Sequence, residues 1–350
     1  MSNSGQYVRG RLSAFRMINW LLMIVMIAGI LNPTAVALAQ AQESTHSAAN
    51  VARNAAELLF DEPGVYGVVF METDGTVLYS HNADLPFVAA SLFKLIVMVD
   101  FYSRRERGEI SFDDLVVLQF EDFPFLDGSE ELEDAYFNST MVGAAVSIGE
   151  LMEAMITVSS NVAARAFLRI TNTINLNHIA TDLGMVDTHI RVPLDDIAPW
   201  PSEAVTSGHA TQAEEAVEFV EMTNDTELIN LTTPADIATF FLQLANHEII
   251  SEAVSTEMEE LLSRQQLNDR LPFLLPPGTV CVHKTGNLLQ IVHDAGIVYG
   301  MNGPTVVTVL SENVPDDFRA AEVIQRLGLI AYGETEIPAM PSATPDETSD

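Results

Sequence analysis

The stretch Ala89-Ala90-Ser91-Leu92-Phe93-Lys94-Leu95-Ile96-Val97-Met98-Val99 decides how the rest of the chain is read. Its apolar run is long enough for a buried helix. A helix beginning near Ser91 places Lys94 three residues on, on the same face, with its nitrogen in reach of the serine oxygen. A serine hydroxyl is a poor nucleophile until a neighbouring base takes its proton. A lysine can do this only if its pKa falls, which burial or a second cation brings about. The helix N-terminus adds free backbone N–H groups aimed at charge developing on a substrate. A serine cap followed by a lysine on a core helix would look the same and do no chemistry.

The lysine census separates these readings. The chain has only two lysines, a residue normally among the commonest. The second is Lys284, in His283-Lys284-Thr285-Gly286; all other fixed positive charge is arginine. Between the two lies Thr157-Val158-Ser159-Ser160-Asn161, where one helical pattern (149–156) ends and another (162–168) begins. Asn161 stands where an N-cap belongs.

Outward from these motifs, periodicity places a helix over 48–59, stopped by Pro63-Gly64. Two strands, Val65–Met71 and Thr76–His81, flank the turn Thr73-Asp74-Gly75. Residues 119–139 are acidic and aromatic and read as an exposed loop, one of whose aromatics could wall a site. Thr233-Pro234 opens a helix and Ser251 to Gln265 forms another. Strands are expected at Thr279–Val282, Val292–Tyr299 and Pro304–Leu310, then a closing helix from Asp316 to Tyr332. Strands at both ends of the chain around a helical middle argue an α+β architecture. The domain is expected to span 48–333, with a disordered acidic tail over 334–350.

At 350 residues and 48% hydrophobic content, one large domain or two lobes can be built. The net charge of −33 disfavours nucleic-acid partners, whose phosphates would be repelled. It fits solubility or a saline exterior, where screening shortens repulsion. Arg9, Arg11 and Arg16 precede an apolar run from Trp20 to Leu31, and Ala37-Leu38-Ala39 offers a small-x-small cleavage site. Residues 1–39 therefore read as a secretory signal peptide, followed by a linker over 40–47, with a secreted, periplasmic or cell-surface location. An uncleaved membrane anchor is the alternative. Cys281 is the only cysteine, so there is no lipid-attachment cysteine near the cleavage site and no internal disulfide.

Ser-x-x-Lys, Ser-x-Asn and Lys-Thr-Gly, in that order, resemble class A β-lactamases and the penicillin-binding proteins related to them. Leu183-Gly184-Met185-Val186-Asp187-Thr188, Thr232-Thr233-Pro234-Ala235-Asp236-Ile237-Ala238 and Asp294-Ala295-Gly296-Ile297-Val298 fall in family order too. The resemblance implies a β-lactamase/transpeptidase-like fold, an antiparallel sheet flanked by helices plus an all-helical lobe. Ser91 would be acylated, with Lys94 as its base or part of the proton relay. Ser159 would pass a proton to the leaving nitrogen, and Lys284 would polarise Ser159 and attract the substrate carboxylate. Asn161, Thr285, Gly286 and Asn287 would bind substrate, with the backbone N–H groups of Ser91 and Asn287 as the oxyanion hole. No metal or organic cofactor is implied. The partner would be a small-molecule β-lactam or a peptidoglycan stem peptide, and a monomer is expected.

Two departures stand out. Ser160 replaces the aspartate of the usual Ser-Asp-Asn, removing a buried carboxylate that supports the junction. The loop that normally carries a deacylating glutamate reads Ile190-Arg191-Val192-Pro193-Leu194-Asp195-Asp196-Ile197. Asp195 and Asp196 are the candidate bases, each a methylene shorter, with Glu203 a third; a loop turn or a salt bridge to Arg191 explains the two aspartates equally well. Residues 198–229 form a long acidic insertion, either solvated or a lid. The functional expectations are a serine β-lactamase, a D,D-carboxypeptidase-like penicillin-binding enzyme, or a non-turnover acyl-trapping module.

Overall fold

The computed structural model describes residues 48–123, 134, 136–191 and 229–340. The expected leader (1–39) and linker (40–47), the candidate bases Asp195, Asp196 and Glu203, and all of the 198–229 insertion except Ile229 lie outside the described residues.

Residues 48–59 are helical (α1). Strands β1 (Val65–Glu72), β2 (Val77–His81) and β3 (Phe87–Val88) follow. A 3₁₀ turn, Ala90–Phe93, then leads into α2 (Lys94–Glu106). The middle of the chain holds β4 (Leu115–Val117), β5 (Ala145–Ser147), α3 (Ile148–Thr157), α4 (Asn161–Leu168) and α5 (Thr173–Asp182). After β6 (Leu231–Thr232) come α6 (Pro234–Ala245) and α7 (Glu252–Ser263). The chain closes with β7 (Cys281–Leu288), β8 (Ile291–Gly300), β9 (Gly303–Glu312) and α8 (Asp317–Tyr332).

Five strands form one antiparallel sheet in the order β2-β1-β9-β8-β7, so the last strand is the central one. Val69 pairs with Thr308, Thr308 with Ala295, and Ala295 with Lys284, one line of residues across the sheet. The period of two sorts each strand between two cores. Val68 and Phe70 of β1 and Val307 and Val309 of β9 join Ala55 of α1 and Val323, Ile324 and Leu327 of α8. Val69, Val306 and Leu310 face the other way, onto Ile237, Phe240 and Phe241 of α6. This second core continues into the helical part, where Leu92 to Phe101 of the Ser91 stretch pack on α3 and α4. Phe101 meets Phe167 with ring centroids 4.1 Å apart. The architecture is α+β, as the sequence reading expects.

Two expectations need correcting. Residues 334–340, assigned to a disordered tail, run back along α8: Arg326 donates to Pro338 O (2.9 Å) and Ala339 O (3.0 Å), and Ile337 and Met340 lie against the core. The acidic stretch 119–139 is not simply an exposed loop. Phe123 and Phe137 are buried, as is Asp122, which takes two 2.8 Å hydrogen bonds from Arg169. A buried carboxylate needs such a partner.

Candidate active site

Ser91 sits in the 3₁₀ turn, half-buried, after Ala90 in the left-handed region (φ 43°). Side chains at i and i+3 eclipse in such a turn, which sets Ser91 and Lys94 on one side. The Lys94 N–H donates to Ser91 O, closing the turn. The approach is clamped from the sheet. His293 donates from Nε2 to Val88 O (2.8 Å) and accepts from Ser311 N at Nδ1 (3.1 Å), while Val88 N donates to the Glu312 carboxylate. Burial pushes the His293 pKa down to about 4, so the ring is neutral.

Lys94 is fully buried at the start of α2. Its Nζ donates to Ser159 O (2.5 Å), Asn161 Oδ1 (2.8 Å) and Ser159 Oγ (3.2 Å). These bonds turn the amine toward the Ser159–Asn161 turn rather than onto the Ser91 oxygen, where the helical spacing alone would aim it. Lys284, equally buried on β7, donates from Nζ to the same Ser159 Oγ (2.9 Å) and to Thr285 O (2.8 Å). Both lysines of the chain thus meet on one hydroxyl.

Burial lowers the Lys94 pKa to about 7, against an opposing pull from the Asp134 carboxylate. Lys284 falls well below its usual range, through burial first and then through Lys94 beside it; Asp294 opposes this and Arg270 adds to it. Two buried ammonium groups this close disfavour each other's charge.

The cap of α4 differs from the expectation. Ser160, not Asn161, is the N-cap: its Oγ accepts from Ala163 N (3.0 Å). Both residue types cap well. Here the Asn161 amide oxygen is taken by Lys94, so the preceding serine closes the helix. Ser159 adopts φ 58°, which swings both its oxygens toward the amines.

Thr285 and Gly286 are buried on β7 and Asn287 is exposed. A Cβ on Gly286 would lie 3.2 Å from the Ala90 Cβ, so glycine lets this strand lie against the turn that carries Ser91. Behind it lies a residue the sequence reading missed. Arg270 donates from Nη1 to Gly286 O (3.1 Å) and His293 O (2.8 Å), and from Nη2 to Asn287 Oδ1. Nothing in Asn268-Asp269-Arg270-Leu271 marks it apart from a solvated arginine. Asp134 and His293 were missed as well; each acts through partners remote in sequence.

The site therefore holds a serine at the head of a helix, a lysine of lowered pKa, a hydroxyl bridging two amines, and a glycine-edged strand end beside a buried guanidinium. Such a set can move a proton off one oxygen and onto another leaving group while holding an anion.

A family model described as the β-lactamase enzyme family matches residues 50–335. Among solved structures, a β-lactamase from Sphaerobacter thermophilus DSM 20745 superposes with a TM-score of 0.65 at 23% identity, covering 82% of this chain and 97% of that one. The structure of PBP-A gives a TM-score of 0.63 at 23% identity, covering 81% and 94%. A class A β-lactamase representative from Bacteroides cellulosilyticus DSM 14838 gives 0.62 at 19%, covering 82% and 97%. No curated protein sequence matches the chain significantly.

Proposed function

Because the chain belongs to the β-lactamase enzyme family, we propose that it is an exported class A-type serine β-lactamase that opens β-lactam rings through an acyl-enzyme on Ser91. The observation that carries this reading is the meeting of Lys94, three residues on from Ser91, and Lys284 on the Ser159 hydroxyl. Neutral Lys94 takes the Ser91 proton as Oγ bonds to the lactam carbonyl carbon, and backbone N–H groups of Ser91 and Asn287 hold the oxyanion. The carbon–nitrogen bond then breaks. Ser159 gives its proton to the departing nitrogen and is resupplied from a lysine ammonium. An incoming substrate carboxylate favours the ammonium form of Lys284 against the burial and the Lys94 repulsion that lower it; Thr285 donates a hydroxyl to the same group, and Asn161 its amide to the substrate's side-chain amide. Water next adds to the ester carbonyl and frees Ser91, with Asp195, Asp196 or Glu203 as its base. Export on the 1–39 leader and protection of a cell against β-lactams belong to this reading, supported by the sequence.

A second reading is favoured by the PBP-A likeness and by the absence of a glutamate in 190–197. In it the same acylation acts on D-alanyl stem peptides and deacylation is slow. A chromogenic β-lactam, followed by colour and intact mass, divides the two. Sustained colour is the expected result, with Lys284→Ala slowing acylation while the fold is kept. A stable adduct after one equivalent favours the second reading, and no adduct on Ser91 overturns both.

A further inference from the structure

Asp134 reaches into the site from a segment that sequence reasoning left on the surface. Its Oδ2 accepts from Ser160 Oγ (2.7 Å) and from Val162 N (3.1 Å) at the start of α4. Its Oδ1 accepts from Tyr136 N (3.0 Å) and Phe137 N (3.1 Å), and the Phe137 ring is buried. The carboxylate is thus saturated by four donors, two from its own segment, one from the Ser159–Asn161 turn and one from the first turn of α4 that follows it. Ser160 is only 2% exposed, and its hydroxyl passes the link on to Ala163 N. Every atom that Lys94 grips outside its own helix, Ser159 O, Ser159 Oγ and Asn161 Oδ1, belongs to this one turn.

We propose that Asp134 is a positioning residue for the reaction: its carboxylate, carried in by the acidic segment, locks the Ser159–Asn161 turn in the conformation that presents Ser159 and Asn161 to Lys94. A chain with serine at 160 lacks a carboxylate within the turn, and Asp134 supplies one from 26 residues upstream. The proposal rests on the acyl-transfer reading above. Its electrostatic side follows from the groups that face Lys94 among the described residues. Asp134 on the segment side favours the ammonium, and Lys284 on β7 opposes it.

The two-lysine composition makes this measurable without activity. Protein labelled with ¹³C at lysine Cε gives two titrating resonances, one for Lys94 and one for Lys284. Asp134→Asn, which keeps shape and loses charge, should lower the Lys94 midpoint. Asp134→Ala should slow single-turnover acylation by a chromogenic β-lactam at least about tenfold, as small misplacements at reacting centres do. Adding Ser160→Asp to Asp134→Ala sets a carboxylate where the Asp134 oxygen lay and should restore both rate and midpoint. Wild-type acylation in Asp134→Ala overturns the proposal, as does an impaired double variant that folds with wild-type stability. If Asp134→Ala does not fold, Asp134→Asn decides: an unchanged rate with an unchanged midpoint overturns it. A wild-type protein that forms no adduct fails the acyl-transfer reading instead, and the lysine titrations still report whether Asp134 sets the charge of Lys94.

Discussion

In the proposed reaction Lys94 is asked to be two things: a buried cation held by three oxygens, and a base. Its pKa of about 7 reconciles them, because near neutrality both forms are populated. As pH rises through about 7 the neutral form grows, so the acylation rate should climb close to tenfold per unit below that value and level off above it. Stopped-flow acylation across roughly pH 5 to 9 checks this; a flat profile contradicts the role. Stability carries the same sign. Between about 7 and the ordinary lysine value the unfolded chain binds the proton and the folded chain does not. The contribution of Lys94 to stability therefore improves with rising pH over that window, and is lost as pH falls back through about 7.

At the scale of elements, the acidic segment is fastened at both described ends: Asp122 to Arg169 on the last turn side of α4, and Asp134 to its first turn. Asp122→Ala would leave Arg169, itself partly exposed, without its carboxylate. Removing one partner of a fully buried pair costs about 3–5 kcal/mol; solvent reaching Arg169 reduces this to about 2 kcal/mol. Urea unfolding should show the loss as a lower midpoint with an unchanged slope. These ties explain what the sequence could and could not disclose. Strands β1, β8 and β9 were legible because Val68, Val69 and Phe70 alternate between two cores, and α6 because Thr233-Pro234 is a local signal. Ser91, Lys94 and Lys284 were legible because scarcity and spacing mark them without knowledge of the fold. Asp122 and Asp134 were not, since their partners lie 47 and 26 residues away. Choosing between Ser160 and Asn161 as the cap needed the position of Lys94, which no local pattern contains.

For the molecule as a whole, 49 acidic against 16 basic side chains leave a net −33 spread over 350 residues. Like charges at this density oppose the compact state, and added salt shortens their reach. Melting temperature should therefore rise with sodium chloride; about 1 kcal/mol of relieved repulsion moves it roughly 2–4 °C in a domain of this size. A melting curve indifferent to salt would remove the suggestion of a saline habitat. Topology acts at this scale too. The central strand β9 is the last strand to be synthesised, and within the sheet it joins β1, on the side leading to Ser91, to β8 and the edge strand β7 that bears Lys284. A nascent or truncated chain has Ser91 and its helix but lacks the strand that completes the sheet between β1 and β8. The two sides of the site are therefore tied together through the sheet only once that final strand has paired along both of its edges.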